Sequence, residues 1–207
     1  FLKLPSFIVT LGTLSIFRGI ALLVTNAAPI SLDQNIPNIS SFSYLGTGRP
    51  FGVPMQLIMM LIVVVLGAFL LRFTRFGFHV YAVGGSREAA RLCGIPTSRV
   101  RIASFVIQGA LSGLAGIIGL AFLLYAQGTT GTGLELLVIT AVIIGSAALF
   151  GGSGTMLGTL VGVLLIATLQ NVLILAGISS FWQTIVIGVV IVASVAFDTW
   201  VRQRRSA

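Results

Sequence analysis

The sequence predicts an all-α fold: a polytopic transmembrane helical bundle of about six spans, with one short helix on the cytoplasmic face. Three observations predict it. First, hydrophobic residues make up 57% of the 207 and charged residues only 8%, where a soluble domain carries about 25% charged residues. Second, the apolar residues fall into six runs, each near the roughly 20 residues that one helical crossing needs. Third, those runs are continuous. "LIMMLIVVVLGAFLL" does not alternate apolar and polar, which excludes the strands of a β-barrel. In hydrocarbon every backbone N–H and C=O needs an internal partner, so continuous runs become helices.

The first span covers about Phe7 to Thr25. A polar loop with Pro29, Asp33, Pro37, Gly46, Gly48, Arg49, Pro50 and Pro54 follows. The second span covers about Met55 to Leu71, and a charged region runs from Arg72 to Arg101. The third covers about Ile102 to Leu124 and ends in the Gly/Thr-rich "QGTTGTG". The fourth, about Leu134 to Phe150, contains Gly145 and Ser146. "GGSGT" separates it from the fifth, about Met156 to Leu175, and "AGISS" leads into the sixth, about Phe181 to Phe197. Gly109 and Gly113, and then Gly154, Gly158 and Gly162, stand four apart. Such stripes let helix backbones approach closely, and packing within the chain is the simpler use of them.

Six crossings put both ends on one side. Lys3, Arg72, Arg75, Arg87, Arg91, Arg99, Arg101, Arg202, Arg204 and Arg205 share that face, and Arg49 alone lies opposite. Positive charge accumulates on the cytoplasmic side, so both ends and the charged region are expected there. A re-entrant fourth segment would turn the Arg202–Arg205 tail outward, against that rule, so it is read as a full crossing.

The charged region writes its own local structure. Ser86 is a good N-cap. Glu88 stands in the first turn, where the helix dipole favours an acid. Gly94 suits the position after the last turn, with Pro96 beyond it. Thr97 or Ser98 then caps the next helix. A helix of about two turns is unstable alone in water. It either packs on loops of its own chain or docks a cytoplasmic partner.

Several functions are excluded. A net charge of +8 suggests nucleic acid in a soluble protein, but these basic residues flank apolar runs and record orientation. No nucleic-acid partner is expected. With one histidine (His79), one cysteine (Cys93) and four acids, neither a metal cage nor a catalytic cluster can be assembled, and no cofactor is expected. A phosphate-binding loop needs a lysine after its glycines. The single lysine, Lys3, is in no such context, so ATP hydrolysis belongs on another chain. Ion coupling wants ionisable groups within spans. Arg18 and Glu135 are the candidates. Arg18 costs about 2.5–3.5 kcal/mol to insert and must face protein or water, whereas Glu135 can cap a helix N-terminus.

"GFHVYAVGGSREAARLCGI" resembles the cytoplasmic loop of bacterial ABC sugar permeases of the ribose/xylose type. The matching positions are Tyr81, Ala82, Gly84, Gly85, Ala89, Ala90, Arg91, Gly94 and Ile95. "GTGRPFGVP" resembles that family's external loop, and residues 126–166 resemble its Gly/Thr turn, short helix and glycine corner. The resemblance implies one transmembrane permease domain over residues 1–207, with its N-terminal spans missing before Phe1. It implies a multi-pass subunit of the bacterial inner membrane that carries a ribose- or xylose-like monosaccharide. The alternatives are another small solute of the same superfamily or an ion-coupled transporter. The loop 72–101 would hold the coupling helix, with Ser86, Arg87, Glu88, Ala89, Ala90, Arg91 and Gly94 meeting an ATP-binding subunit. Gly46, Gly48, Arg49 and Pro50 would meet an extracytoplasmic sugar-binding protein. A second permease subunit, most simply an identical one, would complete the path. Polar residues available to that path are Arg18, Asn26, Gln108, Gln127, Glu135, Gln170 and Asn171.

Overall fold

The computed structural model describes residues 6–33, 37–145 and 151–205. Lys3 and residues 146–150, with Ser146 and the end of the expected fourth span, lie outside them. The described chain is almost entirely helical and divides into two compact units, residues 1–58 with 111–132 and residues 59–110 with 133–207.

The first unit contains α1 (Ser6–Thr25), β1 (Ile30–Ser31), α2 (Ile39–Thr47), the start of α3 (Met55–Phe73), the end of α6 (Thr97–Leu123) and β2 (Tyr125–Ala126). A polar loop was expected between the first two spans. It holds a nine-residue helix and a strand. β1 and β2 pair antiparallel, with Ile30 opposite Ala126 and Ser31 opposite Tyr125, and the Leu32 N–H donates to Leu124 O at 2.9 Å. Gly46 of α2 presses on the backbone of Ala121 and Phe122, where a Cβ would collide. Ala121 is wholly buried there. The loops after α1 and α6 are thus tied together by backbone contact.

The second unit contains the rest of α3 and α6, α4 (Arg75–Gly85), α5 (Arg87–Leu92), α7 (Leu134–Ile144), α8 (Met156–Leu175) and α9 (Ser180–Arg205). α7 packs on both α8 and α9 and buries Thr140, Ala141 and Ile143. α8 approaches it through two glycines: Gly158 lies on Gly145 and Gly162 on the Ala141 carbonyl. Those glycines serve packing within the chain, as expected. Gly109 and Gly113 do not, since a Cβ on either would meet nothing within 4 Å.

Four described helices, α1, α3, α6 and α8, are long and apolar enough to cross a membrane. α7 has 11 residues, about 16 Å of helix against a hydrocarbon core of roughly 30 Å. α9 carries a shorter apolar stretch, Phe181–Ser194, and continues as helix into the basic tail. α6 starts at Thr97, five residues before the expected span, because the "TSRVR" segment is helical too. The long helices leave large apolar side chains exposed, among them Phe17, Leu23, Leu66 and Leu164, which suits lipid. Their hydroxyls bond their own helix: Ser15 Oγ donates to Leu11 O and Thr168 Oγ1 to Leu164 O. Without water that is how a hydroxyl is satisfied.

Candidate functional site

The expected two-turn helix is present as α5, and a second helix, α4, precedes it. α4 begins at Thr74, whose Oγ1 accepts from the Gly77 N–H at 3.2 Å and donates to Leu70 O at 2.6 Å. It ends at Ser86, a single extended residue that is also the N-cap of α5. Ser86 is held from both sides. Its N–H donates to Ala82 O at 3.2 Å, and its Oγ accepts from the Ala89 N–H at 3.3 Å. The cap leaves one fewer unpaired N–H at the start of α5, and Glu88 sits in that first turn.

α5 ends as its glycine predicts. Gly94 adopts φ +79°, its N–H donates to Arg91 O, and the Ile95 N–H donates to Ala90 O, both at 3.0 Å. This pair of bonds closes a helix with a left-handed residue after its last turn. One expectation needs correcting. Neither Thr97 nor Ser98 caps α6, for the Pro96 carbonyl accepts the Val100 N–H at 3.1 Å and Thr97 is already helical. Proline ahead of the first turn loses nothing, since it has no N–H to satisfy.

α5 is two-faced. Ala90 is buried, while Arg87, Glu88, Ala89, Arg91 and Leu92 are exposed, Leu92 at 85%. Arg99 and Arg101 are exposed just beyond. A short rigid helix with this mix of charge and one bare leucine can insert into a groove. It offers nothing for bond-breaking, and the described residues contain no group of three His, Cys, Asp or Glu that can hold a metal.

Behind the corner lies a contact the sequence did not announce. Tyr81 Oη donates to Gly154 O at 2.8 Å. A Cβ on Gly84 would stand 2.5 Å from Gly152 N, and one on Gly152 would stand 2.8 Å from Gly85 Cα. The end of α4 and the Gly151–Gly154 turn therefore touch backbone to backbone. Gly151 and Gly152 have φ of +92° and +87°, where other residues are strained.

Of the four residues singled out in the loop between α1 and α3, Gly46 and Gly48 are buried and Arg49 is exposed, with Pro50 half-buried. The glycines shape the loop: the Gly48 N–H donates to Tyr44 O and its carbonyl accepts from the Met55 N–H, both at 2.8 Å. Phe51, inside the "GTGRPFGVP" stretch but not singled out from the sequence, projects fully exposed from the turn at φ +57°. The polar residues considered for a path divide between the units. Arg18, half-buried, and Asn26 and Gln127, both exposed, belong to the first. Gln108, Glu135, Gln170 and Asn171 belong to the second, where Glu135 stands half-buried in the first turn of α7.

Comparison with known proteins gives a consistent result. The family model described as "Branched-chain amino acid transport system / permease component" matches residues 1–195. The chain is 43% identical over 204 residues to "Probable ABC transporter permease protein YphD" of Escherichia coli (strain K12), covering 99% of this chain and 60% of that protein. It is 42% identical over 197 residues to "Ribose import permease protein RbsC" of Bacillus subtilis (strain 168), covering 95% and 60%. It is 35% identical over 199 residues to "L-arabinose transport system permease protein AraH" of Escherichia coli (strain K12), covering 96% and 59%. The chain thus spans about 60% of the length of the curated relatives it matches. No solved structure matches it.

Proposed function

This chain belongs to the family of branched-chain amino acid transport system permease components, among relatives named as ABC sugar permeases, and from that premise we propose that it is a multi-pass permease subunit of an ABC importer for a monosaccharide. The solute is ribose- or xylose-like, and residues 1–207 form one transmembrane permease domain in the bacterial inner membrane. α5 is its coupling helix, seated in a groove of a separate ATP-binding subunit that hydrolyses the nucleotide. The opposite loop, through Arg49 and its neighbours, receives an extracytoplasmic sugar-binding protein. A second copy of the permease completes the path, and the polar residues named above are available to line it.

The observation that carries the reading is α5 itself: a helix closed at both ends, with Ala90 turned in and Arg87, Glu88, Arg91 and Leu92 turned out. Its ends are defined by its own caps, so a partner meets a preformed element and loses little entropy in ordering it.

The proposed layout has six crossings with both ends cytoplasmic. Two sets of contacts support it. The β1–β2 pair and the Gly46 contact on Ala121 and Phe122 join only segments that this layout places outside. The Tyr81–Gly154 bond and the Gly84–Gly152 contact join only segments that it places inside. α7 leaves the outer set at Gly133, and the chain reaches the inner set at Gly151. In the proposed layout the stretch between them is a crossing, although α7 alone is short.

The test is deletion of residues 86–94 from the complete permease, reconstituted in proteoliposomes with its ATP-binding subunit and binding protein. Insertion is expected to persist and ATP-driven sugar uptake to vanish. Uptake at the wild-type rate would defeat the proposal.

A further inference from the structure

We infer that the contact between the end of α4 and the Gly151–Gly154 turn carries the movement of α5 to the start of α8, with Tyr81 and Gly84 as its positioning residues. The inference rests on the reading of α5 as the ATPase-coupling element.

α5 is joined to the rest of the chain at both ends. One end runs forward into α6. The other runs backward through Ser86, which both helices grip, into the last turn of α4. There the backbone of Gly84 and Gly85 meets the backbone of Gly151 and Gly152 with no side chain between. A side chain at such a junction can absorb a push by changing rotamer, whereas packed backbone cannot. Tyr81 clamps the same junction by its bond to Gly154 O, 73 residues along the chain. One residue later Thr155 caps α8, its Oγ1 accepting from the Gly158 N–H at 3.0 Å. Gly158 lies in turn on Gly145 at the end of α7. A displacement of α5 therefore reaches the α7–α8 pair through rigid elements, the physical requirement for coupling at a distance.

Neighbouring glycines supply the test and its control. A Cβ on Gly84 would wedge against Gly152 N at 2.5 Å, whereas one on Gly85 meets nothing within 4 Å. In the reconstituted complete transporter, sugar uptake and binding-protein-stimulated ATP hydrolysis are measured together. Gly84→Ala is expected to keep hydrolysis and lower uptake per ATP by about tenfold, within the usual range of coupling between sites. Gly85→Ala is expected to leave both unchanged. Tyr81→Phe is expected to lower uptake per ATP by about fivefold, as one neutral hydrogen bond allows. A merely structural role would lower assembled complex and leave the ratio alone. A wild-type ratio in Gly84→Ala overturns the inference. Should that variant fail to assemble, a wild-type ratio in Tyr81→Phe overturns it. A wild-type transporter without ATP-dependent uptake defeats the coupling reading itself, a different and recognisable failure.

Discussion

Adding one methyl group at Gly162 should loosen the tightest helix pair in the described chain. Gly162 is buried, and a Cβ there would collide with the Ala141 carbonyl and stand 2.8 Å from Gly145 N. Both are backbone atoms of α7 and its cap, so no rotamer change relieves the clash. Relieving the Gly145 N contact alone, from 2.8 Å to an ordinary 3.4 Å, requires α7 and α8 to separate by about 0.6 Å, and the nearer Ala141 carbonyl requires more. A gap of that size forfeits a quarter to a half of each contact of about 0.1–0.2 kcal/mol. Over about 40 contacts, as many as one buried leucine makes, the loss is about 1–4 kcal/mol. Alanine's better helix propensity returns about 0.5–1 kcal/mol. Gly162→Ala is therefore expected to destabilise by up to about 3.5 kcal/mol, with the middle of the range at about 1.5–2 kcal/mol, in line with overpacking elsewhere. Gly109→Ala, with open space around its Cβ, should be neutral or slightly stabilising. Unfolding of the detergent-dispersed permease by SDS titration or heat reads both. Equal stabilities for the two variants would refute the close α7–α8 approach.

Ser86→Ala removes the cap of α5 and should cost about 1 kcal/mol locally. It would appear as faster amide exchange at Ala89, whose N–H the Ser86 hydroxyl now accepts from, with exchange in α8 unchanged. Phe51→Ala should alter stability by less than about 0.5 kcal/mol, as surface substitutions do, because the ring is fully exposed. It should weaken capture of the binding protein by about tenfold, as loss of an aromatic anchor does, in a surface-binding measurement on the reconstituted permease. Cys93 is exposed at the end of α5, so an impermeant maleimide should label it in inside-out vesicles and not in intact cells. Labelling from outside would reverse the proposed layout.

Residues governed by local rules were readable before the structure. Ser86, Glu88 and Gly94 act on atoms within four positions of themselves, and the helix they bound stands where the sequence places it. The long apolar runs were equally readable, since hydrocarbon leaves the backbone no other solution. α4 was not. "RFGFHVYAVGG" has two terminal glycines and an arginine and reads as loop. Its end rests on Gly151, Gly152 and Gly154, about 70 residues away, and no spacing rule reaches that far. The β1–β2 pair escaped for the same reason, joining Ile30 to Ala126. The buried glycines of the outer loop looked like contact residues because composition cannot separate a glycine that shapes a turn from one that bares a surface. Arg49 and Phe51 do bare a surface.

The same divide explains why α7 is the informative element. By length it is a poor span, and by charge counting it is merely permitted. What makes a crossing the simpler reading is its position between two sets of long-range contacts. Gly133 follows the segment that pairs with β1, and Gly151 touches the corner that carries α5. If α7 re-entered on the outer side, Gly151 would have to touch Gly84 across the bilayer, which would move the α4–α5 corner outside as well. Arg87, Arg91, Arg99 and Arg101 would go with it, against the charge rule. The glycine contact and the arginine count are independent observations, one steric and one electrostatic, and both suit the crossing proposed above.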